Sequence, residues 1–367
     1  MPASTRQLTV ALLFGGRSSE HTISCATAGG VLSAIDRSKY SVIPIGITRD
    51  GAFTLQEDDA AAFALNPSAM PTVQDNGSRV FWPESSASRE LTVRDAAGVT
   101  TSLGDVDVVF PILHGPFGED GTVQGMLELL GLPYVGNGVL ASALGMDKHF
   151  TKGALEAAGV SVAPWVTVTP QQWRDDNELW RGRAQALGLP AFVKPARAGS
   201  SVGVTKVSDW AALDAALEVA FAEDSKALIE TAIVGREVEC AVLSGRDGGA
   251  PRVSVAGEIV VTGREFYDFE AKYLDDSAAQ LVCPADLAEG ELREMQRIAA
   301  RAFEAIGGSG LARVDCFFTG TDFVVNELNT MPGFTPISMF PKCWEASGMS
   351  YPDLIDELIQ LGLETVR

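Results

Sequence analysis

Residues 1–145 predict an α/β unit built on a parallel sheet, and the remainder predicts a mixed α+β arrangement. Three observations carry that expectation. Apolar runs and helical stretches alternate from Leu8 to about residue 145, as parallel strands joined by crossover helices do. Beyond Asp147 the chain continues in mixed strands and helices, with glycine-rich turns between β-like runs. Finally, 367 residues are too many for one ordinary core, so two or three packed units are expected.

Each element has a local reason. Leu8–Phe14 is a continuous apolar strand that runs into GGRSSE and then a helical stretch over 20–35. Tyr40–Ile47 is a second strand, and Asp105–Leu113 (DVDVVFPIL) a further one that ends at His114-Gly115. A helix over about 121–131 stops at Gly131-Leu132-Pro133. The stretch 56–102 is polar and weakly periodic, and reads as an insertion or hairpin on the sheet edge. Asp147 is a good N-cap for a helix over 148–158, which Gly159 ends. After it come strands over Ala191–Lys194, Val202–Val207 and Ala227–Glu230, with helices near 209–222 and 287–306. These boundaries divide the chain into 1–145, 146–230 and 231–367.

Composition narrows the function. A formal net charge of −20 argues against a nucleic acid or an anionic membrane surface as partner, since both call for basic patches. It still permits a nucleotide, because a few local lysines and a divalent ion can offset the global field. The five cysteines, at 25, 240, 283, 316 and 343, are scattered singly, with no CxxC spacing for zinc and no disulfide framework. Leu8–Phe14 is too short for a membrane span and lacks a signal-peptide cleavage pattern, so a cytoplasmic protein with reduced thiols is expected.

Two segments carry the chemistry. In FVKPARAGSSVGVTKV (192–207), two β-like runs flank a loop holding Gly199, Ser200, Ser201 and Gly203. Glycines let backbone N–H groups wrap phosphate oxygens, and Lys194 adds a point charge at the strand end. Taken alone, the segment fits a plain hairpin equally well. GxxxxGK[ST] is absent, which excludes a P-loop, and Gly15-Gly16 does not make GxGxxG.

The second segment is RVDCFFT (313–319) and FVVNELN (323–329), joined by Gly320-Thr321-Asp322. Residues two apart share a strand face, so Arg313 pairs with Asp315, and Glu327 with Asn329. A three-residue turn would set Asp315 opposite Glu327 and Arg313 opposite Asn329, while Val314, Cys316 and Phe318 face the other way. A two-residue turn would separate them by face. Two carboxylates and an amide oxygen suit Mg²⁺ held against phosphates, because magnesium takes hard oxygen ligands. The alternative is a set of exposed salt bridges, worth only about 0–1 kcal/mol each. Beyond Asn329, Thr-Met-Pro-Gly333-Phe-Thr-Pro-Ile-Ser338 can present backbone N–H groups and a hydroxyl to an oxyanion or carboxylate, though alone it reads as a turn.

Taken together and in order, GGRSSEHTIS, LHGPFGEDGTVQGMLELLGLPYVG, MDK, FVKPARAGSSVGV, YDFEAKYL, RVDCFF and NELNTMPGF span essentially the whole chain and closely resemble the D-alanine–D-alanine ligase family of the ATP-grasp superfamily. The resemblance implies an N-terminal pre-ATP-grasp unit followed by a two-lobed ATP-grasp unit. It implies ATP-dependent joining of two D-alanines through an acyl phosphate for peptidoglycan synthesis, with D-alanine and ATP as partners and a homodimer as the assembly. At matching positions, Lys148 and Lys194 would contact phosphates, Glu230, Ile233 and Glu237 adenine and ribose, and Ser200, Ser201, Lys272, Phe317 and Asn326 the rest of ATP. Asp315, Glu327 and Asn329 would hold two Mg²⁺, with Mn²⁺ able to substitute. Arg313 and the Gly333 N–H would stabilise developing charge. Glu20 would hold the first D-alanine's ammonium beside His114, and Ser338 the second D-alanine's carboxylate. Ser200 and Tyr273 would form a hydrogen-bonded chain to Glu20, Tyr273 arriving on a lid over about 264–283. D-alanine–D-lactate and D-alanine–D-serine ligases of the same fold are the near alternatives, against which EAKY (270–273) fits the dipeptide-forming pattern.

Overall fold

The first sheet is built on the most apolar run in the chain. In the computed structural model, which describes residues 6–66, 69–199, 201–261 and 279–364, β1 (Leu8–Gly15) runs parallel to β2 (Tyr40–Ile47) on one side. Strands buried on both faces read as unbroken apolar runs, which is why β1 and β2 are legible without alternation. A short strand, β3 (Phe53–Leu55), adds antiparallel to β2. Helix α1 (His21–Ala34) follows β1 and packs on it.

The segment 56–102 holds more structure than its weak periodicity suggests. It contributes β4 (Arg79–Phe81) and β5 (Glu90–Arg94), which form an antiparallel meander with β6 (Thr100–Asp105). Val80, Leu91 and Val93 bury into the same core as Ala11 and Leu13. Strand β7 (Val108–Pro111) completes the first sheet, in the order β3-β2-β1-β7. It is shorter than the expected 105–113, because Asp105 belongs to β6 and the Asp107 carboxylate accepts the Thr9 N–H instead of continuing the run.

Helices α2 (Thr122–Leu129), α3 (Val139–Met146) and α4 (Lys148–Ala157) lead out of this region. The Asp147 carboxylate accepts from the His149 and Phe150 N–H groups, as expected of an N-cap. The next sheet contains β8 (Trp165–Val168), then, after α5 (Pro170–Asp175) and α6 (Asn177–Gln185), β9 (Ala191–Pro195) and β10 (Thr205–Val207). Helix α7 (Leu213–Glu223) and β11 (Ala227–Thr231) close it in the order β10-β9-β11-β8. Strand β10 starts three residues later than expected, because Ser201 (φ 58°) and Gly203 (φ 71°) place the preceding residues in a turn.

The last sheet is antiparallel and carries most of the site. It comprises β12 (Arg236–Leu243), β13 (Arg252–Val261), β14 (Ala279–Val282), β15 (Leu311–Phe318) and β16 (Phe323–Asn329), in the order β14-β13-β12-β15-β16. Residues 279–282, which the sequence assigns to the end of a lid, are therefore sheet, paired with 258–261. Helix α8 (Glu289–Ala305) packs Met295, Ala299, Ala302 and Phe303 against Val238, Cys240, Val314 and Cys316 on one face of this sheet. Helices α9 (Met339–Ala346) and α10 (Tyr351–Glu364) return to the first sheet, joining Phe340, Leu354 and Leu358 to Val10, Leu12 and Phe110 in one core.

One buried amide ties the two ends of the molecule together. Asn137 Nδ2 donates to the carbonyls of Leu311 (2.6 Å) and Thr330 (2.9 Å), and its Oδ1 accepts from Ser309 N–H (2.9 Å). Thus the start of β15 and the chain just beyond β16 are fixed by a residue from the N-terminal region. Asn137→Ala would remove all three of these bonds, two of them to buried carbonyls, so we expect a loss of about 2–4 kcal/mol in urea unfolding. Asn137→Asp should be no better than alanine, because it sets a carboxylate against two carbonyl oxygens. An aspartate variant clearly more stable than the alanine one would show that the donated bonds are not what holds this junction.

Candidate functional site

The strand faces determine which side chains meet. In β12 and β15 the register sets Glu237 opposite Phe317, Glu239 opposite Asp315 and Ala241 opposite Arg313. Directly opposed residues share a face, so two glutamates line up with the arginine and aspartate. Between β15 and β16, Arg313 pairs with Asn329 and Asp315 with Glu327, as the sequence predicts. The route differs, however. The turn has four residues, Thr319–Asp322, because Phe318 pairs with Phe323, and that register alone would turn Glu327 into the core. A bulge between Asp315 and Cys316 restores it, with Asn326 as the extra residue. Both Asn326 and Glu327 then stand on the cavity wall, while Val314, Cys316 and Phe318 are buried against α8.

These strands form one wall of a cavity of about 790 Å³. The same cavity is lined by Glu20, His114, Gly115 and Glu119 from the first sheet's loops, by Lys148 at the start of α4 and Gly199 in the loop after β9, and by the 332–338 loop. That size suits a nucleotide with a small second ligand.

Arg313 is the centre of a buried charge cluster. Its guanidinium donates to both oxygens of Asp315, at 2.7 Å from Nε and 2.6 Å from a terminal nitrogen, and Nε lies 3.0 Å from Glu239. Burial opposes the charge, but Asp315 and Glu239 hold the guanidinium ionised well above its usual range. Asn329 Nδ2 donates to Asp315 Oδ2 at 2.9 Å. A carboxylate has about four lone-pair positions, so Asp315 retains capacity beyond these bonds. Two carboxylates and an amide facing one cavity fit a hard divalent cation. Among the described residues there is no group of three or more His, Cys, Asp or Glu placed to hold a metal on their own; the amide and the substrate's oxygens would have to complete the shell.

A second cluster is cationic. Glu230, assigned by resemblance to the nucleoside, lies buried between Lys152 (3.1 Å) and Lys194. Burial would raise its carboxyl, yet the two lysines hold it down at about 2. The same carboxylate keeps Lys194 raised against burial, whereas burial dominates at Lys152 and lowers it. Lys194 Nζ reaches Asn326 Oδ1 at 3.5 Å, and Lys148 Nζ donates to the Ala198 carbonyl at 2.7 Å. The β9 end, the glycine loop and the bulge therefore converge.

The third group surrounds Glu20. It sits at the N-cap position of α1 without a side-chain capping bond, and its carboxylate faces the cavity. A Cβ at Gly115 (φ +74°) would come within 2.8 Å of Glu20 Oε2, and one at Gly199 within 3.3 Å, so glycine at both positions makes room for the carboxylate. His114 is buried; Nδ1 meets the Met331 carbonyl at 3.1 Å, and burial lowers its pKa despite Glu20 nearby. Gly333 and Ser338 are adjacent, a Cβ at 333 lying 3.2 Å from Ser338 Oγ, and Ser338 Oγ bonds Thr335 Oγ1 at 2.7 Å. Ser201 occupies the positive-φ turn and Ile233 follows β11, while Ser200, Lys272 and Tyr273 lie outside the described residues, as does most of 264–283.

Sequence reasoning passed over Glu239, Glu119 and Lys152. Glu239 was signalled by its position two residues after Glu237 in an alternating strand. Glu119 and Lys152 carried no signal, since a lone charged residue in a loop or helix ordinarily reads as solvated.

Residues 9–137 match the family described as "D-ala D-ala ligase N-terminus", and residues 154–360 match "D-ala D-ala ligase C-terminus". A protein named D-alanine--D-alanine ligase from Paenarthrobacter aurescens is 54% identical over 357 residues, covering 96% of this chain and 94% of its own. The solved D-alanine-D-alanine ligase of Coxiella burnetii superposes with a TM-score of 0.81 at 36% identity, covering 98% of this chain and 94% of its own. The VanG D-Ala:D-Ser ligase of Enterococcus faecalis gives 0.83 at 34%, covering 97% and 100%.

Glu119 supplies a test of this geometry. Its Oε1 and Oε2 accept from the Met331 (3.2 Å) and Gly115 (2.5 Å) N–H groups, yet burial and the neighbouring Glu20 charge push the carboxyl up to about 8. A raised folded-state pKa favours folding below the unfolded value and loses that contribution as pH rises towards 8. Unfolding free energy of the ligand-free protein should therefore fall between pH 5 and pH 8.5 by about 2–4 kcal/mol more than in Glu119→Gln. Parallel pH profiles for the two proteins would contradict a carboxyl at position 119 raised by burial beside the Glu20 charge.

Proposed function

The chain belongs to the D-alanine–D-alanine ligase family, and from that premise we propose that it joins two D-alanines into D-alanyl-D-alanine at the expense of ATP, using the cavity between the last sheet and the Glu20 loop. One observation carries the residue assignment. Asp315, Glu327 and the buried Arg313 line one wall of the cavity, Glu20 and Lys148 line it as well, and Lys194 reaches Asn326 on that wall from behind. This arrangement supports a metal–phosphate side and a separate ammonium site.

The chemistry follows from the poor reactivity of a carboxylate towards an amine. Its charge repels the nucleophile, and oxide is a bad leaving group. Transfer of the γ-phosphoryl of ATP to a carboxylate oxygen of the first D-alanine forms a P–O bond, breaks the β–γ anhydride and releases ADP. Glu20 holds that substrate's ammonium, with His114 beside it. Lys148 and Lys194 position the phosphates, and Arg313 offsets charge that develops on the transferring group. Asp315, Glu327 and Asn329 would hold Mg²⁺, or Mn²⁺ in its place, which when bound neutralises phosphate charge. The amine of the second D-alanine, oriented through its carboxylate by Ser338, then attacks the acyl carbon. The tetrahedral oxyanion is stabilised by Arg313 and the Gly333 N–H. Collapse breaks the acyl C–O bond, expels inorganic phosphate and releases one proton from the nitrogen. Glu230, Ile233, Glu237 and Phe317 are assigned to the nucleoside end, Ile233 through its backbone.

The proposal extends to a cytoplasmic homodimer, in keeping with substrates made inside the cell; no helix among the described residues is long and apolar enough to cross a membrane. Sedimentation at micromolar concentration tests the dimer.

Two measurements test the function. Phosphate release with ATP should be supported by D-alanine and not by L-alanine, with D-serine and D-lactate as second substrates separating this reading from the activity named for the VanG relative. Equal release with D- and L-alanine would remove the substrate assignment. Glu327→Gln should lower turnover on the order of 100-fold or more at saturating Mg²⁺ with an unchanged circular dichroism spectrum. Unchanged turnover would refute its role in holding the metal.

A further inference from the structure

We propose that Cys283 and Cys343 are an oxidisable dithiol, a modification site that a hydroperoxide converts into an intramolecular disulfide joining two walls of the cavity. The pairing rests on geometry. All five cysteines are free, four of them buried and Cys283 half-buried. Cys283 Sγ and Cys343 Sγ are 3.8 Å apart, in hydrogen-bond contact. A disulfide needs about 2.05 Å, so closure requires the sulfurs to approach by roughly 1.8 Å, a distance that side-chain rotation can cover.

The position gives the pair its interest. Cys283 directly follows β14, whose Gln280 and Leu281 line the cavity. Cys343 lies in α9, whose flanking Ser338 and internal Lys342 line it from another side. A covalent bond between the sulfurs would couple a sheet edge to the helix that carries the acceptor-subsite serine.

The surroundings divide the two thiols into nucleophile and resolving partner. The hydrogen-bonded contact between the two sulfurs, with help from the Lys342 charge, lowers the Cys283 pKa against burial, and Cys283 is also the more exposed of the two. Cys343 is raised, first by that same hydrogen bond and then by burial, while burial raises Cys240 and Cys316. The thiolate is the reactive form, so Cys283 reacts first. Its sulfur attacks the peroxide oxygen, breaking the O–O bond; with one proton taken up, the products are a sulfenic acid and an alcohol or water. The negative charge beside Cys343 is then gone. The Cys343 sulfur attacks the sulfenic sulfur, the S–S bond forms, and the hydroxyl leaves as water with the Cys343 proton. Two electrons pass from the thiol pair to the peroxide.

The test treats the full-length folded protein with hydrogen peroxide, followed by denaturing alkylation and mass spectrometry. The oxidised protein should be lighter by about 2 Da before alkylation, take up three alkyl groups where the reduced protein takes five, and yield a Cys283–Cys343 cross-linked peptide that dithiothreitol releases. Cys343→Ser should lose the cross-link and accumulate a dimedone-reactive Cys283 sulfenic acid, whereas Cys240→Ser should keep the cross-link. No 2 Da loss, a cross-link mapped to other cysteines, or a 2 Da loss persisting in Cys343→Ser would each overturn the proposal.

Discussion

The register between β15 and β16 is the constraint on which the site depends. A strand alternates faces with period 2, so an offset of one residue would bury Glu327 and expose Leu328. The four-residue turn imposes that wrong offset, and the bulge at Asn326 corrects it before the chain reaches Glu327. The correction has a second effect. Asn326 and Glu327 both reach the cavity, so the strand presents two successive polar side chains where regular pairing would present one. The far end of the hairpin is fixed by Asn137, which leaves the register little freedom to relax.

The electrostatics follow from that geometry. Burying a charge is costly unless it is paired, and the two clusters are paired unequally. Lys152 and Lys194 share Glu230, leaving one formal positive charge. Glu239 and Asp315 share Arg313, leaving one formal negative charge, to which Glu327 adds from the opposite strand. The anionic group thus lines the cavity, while the cationic one lies behind its wall and reaches it through Lys194 at Asn326, with Lys148 on the lining itself, in a protein whose net charge is −20. Holding these groups in place before substrate arrives reduces the reorganisation needed as charge develops.

Much of this was legible in the sequence, for identifiable reasons. Tyr40–Ile47 is a strand with the expected bounds because a strand buried on both faces is apolar throughout. The Asp315–Glu327 and Arg313–Asn329 pairs were legible from alternation, although the assumed turn was one residue too short. A bulge leaves no mark in a pattern of apolar and polar residues. The β4–β6 meander was legible only as an insertion or hairpin without strand bounds, because its strands are three to six residues long and β6 is largely exposed, so periodicity had little to register. Glu119 was missed for a different reason: its carboxylate is held by the N–H groups of Gly115 and Met331, which are far apart in the chain.

The measurement that tests the register most directly is cysteine labelling at two adjacent positions. Both positions border the cavity, but Glu327 is part-exposed whereas Leu328 is buried in the core with Val314 and Cys316. In Glu327→Cys, a water-soluble maleimide should label the new thiol quickly, and ATP with Mg²⁺ should slow that labelling. In Leu328→Cys, the new thiol should label no faster than the parent's buried cysteines, with or without nucleotide. The reverse pattern, with position 328 reactive and nucleotide-protected and position 327 silent, would contradict the bulged register and the site built on it.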